Sequence, residues 1–150
     1  MNIKQALKRK NKLVKEISTE LERVQRYNSV IAGTDRSYDP RHAFDNYMRK
    51  SNSLIALKTA IHQANAPMYD RIFRLSELKS LVSRVKGIDC NHGPVHNRGG
   101  YGTPSETIQM EAIISLIERD QMVEKLEAEI EMIQEELDRW NAITDIDWTE

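Results

Sequence analysis

The sequence is short of the features that staple a small fold or anchor it elsewhere. Its 150 residues include one cysteine, four prolines and six glycines, and aromatic residues make up only 6%. The lone Cys90 excludes a disulfide framework within the chain. No apolar run approaches the roughly 20 residues that a membrane span requires. The opening MNIKQALKRKNK is basic, but no apolar stretch follows it. It is not read as a secretory signal, and a cytoplasmic, reducing setting is the expectation. Basic residues interleaved with aromatics, the mark of single-strand nucleic-acid binding, are also missing. What remains is enough apolar material, 39% of residues, for one domain over 1–150.

The near-neutral total charge of -1 hides an uneven distribution. Residues 1–15 carry Lys4, Lys8, Arg9, Lys10, Lys12 and Lys15 and no acid. Residues 116–150 hold three bases against twelve acids, a local net charge of −9. The plainer reading is mutual attraction of basic head and acidic tail, within one chain or between chains. The alternative is nucleic-acid contact through Lys4, Lys8, Arg9, Lys12 and Lys15, which without aromatic or Arg-rich readers would be non-specific.

Apolar residues recur at alternating steps of four and three. Ile3, Leu7, Lys10, Val14, Ile17, Leu21, Val24, Asn28 and Ile31 form one such line, seven of nine apolar. A repeat averaging 3.5 residues predicts a coiled-coil seam over a helix of about 2–32. Asp39-Pro40 opens a second helix, about 40–66, with Ala43, Tyr47, Lys50, Leu54, Leu57, Ile61 and Ala64 on its seam. Pro67 either kinks one long helix or separates two. A third helix, about 68–86, shows a broader apolar face of Met68, Ile72, Leu75, Leu78, Leu81, Val82 and Val85. The last, about 115–141, starts on a Ser115/Glu118 capping box. Leu116, Arg119, Val123, Leu126, Ile130, Ile133, Leu137 and Trp140 make its seam.

Residues 87–105 hold five of the six glycines and read as a long irregular loop. Alternation after it predicts a short strand within 107–113, which with a partner from the loop would form a small ribbon. Cys90, His92 and His96 in this loop carry residue types that suit zinc. A structural site takes four ligands, and the fourth would be Asp89, His42, His62 or a neighbour's residue. The plainer reading is a solvated polar loop, so no cofactor is expected and zinc is the alternative. Gly99-Gly100-Tyr101-Gly102 lacks the order of a phosphate-binding loop. Ser105 near His96 lacks the elbow of a hydrolase.

Three segments carry a resemblance: MNIKQALKRKNKLVKEI, RIFRLSELKSLVSRV and the run from SETIQMEAIISLIERDQ through its closing ITDIDW. Together they resemble an uncharacterised helical family of bacteria whose members are sometimes labelled septicolysin. The resemblance spans most of the chain in order and implies long helices, a short β element before the last helix, and a homo-oligomer. It supplies no catalytic residues. The Cys90, His92 and His96 loop departs from the family's pattern, so a site there would be particular to this protein.

The expectation is an all-α fold of long antiparallel helices with coiled-coil packing, one Gly-rich loop and a short ribbon. Helices of this kind cannot bury their seams alone. The sequence predicts a non-enzymatic, homo-oligomeric structural or scaffold protein with no membrane contact. Its oligomer seam comprises Leu7, Val14, Ile17, Leu21, Val24, Val123, Leu126, Ile130, Ile133, Leu137 and Trp140. The rivals are a metal-dependent module at the loop, a nucleic-acid accessory protein, and, from the family label alone, a pore-former.

Overall fold

The computed structural model describes residues 1–97 and 106–149. The order is α1 (Ile3–Tyr27), α2 (Pro40–Ala64), a 3-10 turn (Ala66–Met68), α3 (Tyr69–Lys86), β1 (Gly93–Asn97), β2 (Glu106–Met110) and α4 (Leu116–Ile143). The fold is mostly all-α, with one small antiparallel sheet. It divides into two compact units, Met1–Tyr69 with Asp138–Glu150, and Asp70–Leu137. The Gly99–Gly102 run and Ser105 lie outside the described residues.

The helix ends have local causes. Asn2 and Gln5 form a reciprocal capping box on α1: the Gln5 amide donates to Asn2 Oδ1 (2.9 Å) and the Asn2 amide to Gln5 Oε1 (3.1 Å). α1 stops at Tyr27 rather than near 32. The Arg36 guanidinium supplies the reason, with Nε donating to the Tyr27 carbonyl at 2.8 Å and so satisfying an orphan acceptor. Asn28 and Ile31 therefore leave the expected seam, and Ile31 is 84% exposed. Pro67 separates two helices through the 3-10 turn. At α4, the Glu118 amide donates to Ser115 Oγ (3.1 Å), as the serine of the expected box requires.

In the first unit α1 and α2 form a helical hairpin around Ile3, Ala6, Leu13, Leu57, Ile61 and Ile146. The α2 spacing is as expected, with Ala43, Leu57 and Ile61 buried and Tyr47, Lys50, Leu54 and Ala64 half-buried. The α1 face is rotated by one position at every second seam site. Ala6, Leu13 and Glu20 are buried in place of Leu7, Val14 and Leu21. Leu7 still packs partly on the core, whereas Val14 is 48% and Leu21 36% exposed. The pattern is degenerate there, because Leu13-Val14 offers two adjacent apolar choices. The rotation is decided by Glu20, which meets Lys50 of α2, and by Ile3, which sits in the core with Ile146.

The C-terminal segment closes the open end of this hairpin. The Ile3 amide donates to the Thr144 carbonyl (2.9 Å) and the Ile146 amide to the Met1 carbonyl (2.8 Å). Asn2 Nδ2 donates to the Ala142 carbonyl (3.0 Å), and Asn2 and Asp145 form an isolated antiparallel bridge. Donors at the start of α1 thus satisfy carbonyls at the end of α4, joining the positive end of one helix to the negative end of another. Trp140 and Trp148, both half-buried, pack against the core cluster that holds Ile3 and Ile146.

In the second unit, α3 and the facing part of α4 run antiparallel, tied by Arg71–Glu136 (3.0 Å), Arg74–Glu129 and Lys86–Glu127 (2.6 Å). Leu78 and Val85 of α3 are buried, as are Val123, Ile133 and Leu137 of the expected α4 line, with Leu126 and Ile130 half-buried; Leu116, at the start of that line, is instead exposed. Beyond α3 comes the ribbon, with Val95 opposite Ile108 and Gly93 opposite Met110. One strand falls in the stretch expected after the loop. The other lies inside the loop itself, where Gly and Pro mask any alternating pattern.

Candidate functional site

Two places concentrate polar chemistry. The first lies between α1 and α2, where hydrophobic spacing would have put a leucine. Glu20 is 6% exposed and receives Lys50 Nζ (3.3 Å) and Arg23 Nη1 (3.3 Å). One turn earlier, Glu16 binds Arg9 (3.0 Å) and Lys50 (3.3 Å). Arg23 in turn lies 4.4 Å from the ring centre of Tyr38, which stacks obliquely on Tyr27. Lys50 was legible as a polar seam residue; a lysine on an inward face demands a carboxylate from the facing helix, and that demand could have singled out Glu20. Ion pairs of this kind between facing helices favour one helix register over its alternatives.

Glu16 titrates below the ordinary glutamate range. Its burial would raise the pKa, but hydrogen bonds from Arg9 and Lys50, with their charges, outweigh it. Glu129 is lowered as well, by its hydrogen bond from Arg74. Both carboxylates hold protons more weakly folded than unfolded. They stabilise the fold above the unfolded carboxylate pKa, and the contribution disappears as pH falls through the depressed values. Urea midpoints should therefore be flat from neutrality to mild acid and drop below the ordinary glutamate range. In Glu16→Gln the acid-side drop should be smaller, and an unchanged profile would contradict the assignment.

The second place is the loop and ribbon of the second unit. Cys90 is half-buried, its thiol 3.6 Å from the Ile88 carbonyl. His92 Nδ1 accepts the Ala112 amide (3.2 Å), and His96 Nδ1 hydrogen-bonds Thr107 Oγ1 across the ribbon (3.1 Å). The three side chains expected to offer zinc a site thus take separate partners. Among the described residues no group of three His, Cys, Asp or Glu is arranged to hold a metal ion. Of the candidate fourth ligands, Asp89 Oδ1 accepts the Asn91 amide (2.9 Å), and His42 and His62 bond Asn46 and Tyr69 on or beside their own helix.

The basic head is divided by the fold. Arg9 is drawn into the Glu16 cluster and Lys12 lies 4.0 Å from the same carboxylate. Lys4, Lys8 and Lys15 stay exposed. An open apolar groove of about 490 Å³ runs along the second unit, lined by Phe73, Leu78, Leu81 and Leu126 and bordered by Arg74 and Glu129. Among the described residues no helix is long and apolar enough to cross a membrane. Comparison of the chain with protein-family models, curated proteins and solved structures finds no match to any of them.

Proposed function

We propose that this chain is a non-enzymatic structural or scaffold protein that works as a homo-oligomer, its long helices completing coiled-coil packing against further copies in the cytoplasm. The observation that carries the reading is the imbalance of apolar side chains. Among the described residues thirteen apolar side chains are buried, while twenty-one large ones are exposed. Ile117 (72%) and Met132 (63%) on α4 join Val14 and Leu21 on α1 in water. Single exposed apolar residues are ordinary, but rows of them on long helices favour association, because covering them removes apolar area from water.

Light scattering and sedimentation across the micromolar range test it. The expected result is a discrete multiple of the 17.4 kDa chain mass, with helix content falling as the particle dissociates on dilution. A monomer at every concentration would refute the reading.

A further inference from the structure

Folding divides the charges of α1 and α4 into those with a partner and those without. Glu127, Glu129 and Glu136 of α4 pair with α3, while Arg9 and Lys12 of α1 turn to Glu16. Lys4, Lys8 and Lys15 on α1, and Glu124, Glu131 and Glu135 on α4, are exposed and take part in none of these pairs.

The two triads have opposite spacing. The lysines are separated by four residues and then seven; the glutamates by seven and then four. At 3.6 residues per turn each triad keeps to one helical face. Asn11 fills the missing step on α1 and Ala128 the missing step on α4. Reversed spacing is what an antiparallel pair of helices requires. Laying Lys4 beside Glu135 brings Lys8 to Glu131, Lys15 to Glu124 and Asn11 to the small Ala128. In parallel orientation, Lys4 beside Glu124 puts Lys8 opposite Ala128, and one pair is lost.

We propose that α1 of one copy lies antiparallel to α4 of a second copy in this register, held in orientation by Lys4–Glu135, Lys8–Glu131 and Lys15–Glu124. The proposal rests on the homo-oligomeric reading and adds to it the partner face and the register. Each such α1–α4 contact contributes three ion pairs. Exposed ion pairs are individually weak, so they select register and direction, while burial of apolar side chains drives association.

Charge exchange on the full chain tests the pairing. One variant carries Lys4→Glu, Lys8→Glu and Lys15→Glu; another carries Glu124→Lys, Glu131→Lys and Glu135→Lys. All six sites are on the surface, and circular dichroism checks that both variants remain helical. Each variant alone sets like charges against like, and its self-dissociation constant should rise at least about a hundredfold. An equimolar mixture should associate as the wild type does, and a chain with all six exchanged should again associate with itself. Added salt should weaken the wild-type complex. If the wild type is oligomeric and both triple variants keep its mass and affinity, the register is wrong while the scaffold reading stands. If neither mixing nor sixfold exchange restores association, the triads act on something else and the pairing is overturned. A monomeric wild type overturns both.

Discussion

Replacing Leu57 with alanine should remove about 3 kcal/mol of folding stability. Leu57 is fully buried in the α1–α2 core, beside Leu13 and the C-terminal Ile146. Truncation deletes its transfer energy and leaves a cavity that two helices tied by caps and a clasp can fill only in part. Against the roughly 5–15 kcal/mol that holds a domain together, this is a large fraction. Chemical denaturation at fixed protein concentration reads it directly. Ile55→Ala, two residues away on the exposed face, serves as the control and should change stability by less than about 0.5 kcal/mol. A Leu57→Ala loss below about 1 kcal/mol would mean that the α1–α2 packing described above is wrong.

Lys50→Ala should cost nearly as much, about 2–3 kcal/mol, for a different reason. Lys50 is the single cation from α2 that binds both Glu16 and Glu20. Its removal leaves Glu20 almost fully buried with only Arg23 beside it. The pair itself adds little net stability, since bringing two charges out of water offsets most of their attraction. A double variant, Glu20→Leu with Lys50→Met, should therefore recover most of the loss. If it does not, the cluster contributes net stability rather than register.

How much of this was readable from residues follows the strength of the local pattern. On α2 and α4 the three-and-four spacing picks out the inward residues: Leu57, Ile61, Val123, Ile133 and Leu137 are buried, even where an apolar neighbour such as Met122 or Met132 offers an alternative. On α1 apolar content points to the wrong face: the inward one carries Ala6, Leu13 and Glu20 where the expected one carries Leu7, Val14 and Leu21. The choice fell to an ion pair with a residue thirty positions away, which no local window contains. The early end of α1 has a similar cause: Arg36 reaches back nine residues to cap it. The ribbon was half legible, its second strand showing alternation and its first hidden among glycine and proline. The loop was less legible still. Cys90, His92 and His96 share residue types that suit a metal, and in the fold the Nδ1 atoms of His92 and His96 meet the Ala112 amide and the Thr107 hydroxyl. Residue type announces what a side chain can bind, whereas the fold decides what it meets first.

The bonds between Met1–Ile3 and Ala142–Ile146 make the polypeptide nearly a ring. Folding therefore carries the entropy of closing a loop of almost the whole chain, a cost that grows only with the logarithm of its length. Ligating the two ends through a short peptide would remove that cost without bending either helix. A mechanical load applied to the ends would meet these few bonds before it reached any helix, so the ring should open as a latch does, ahead of the hairpin it closes.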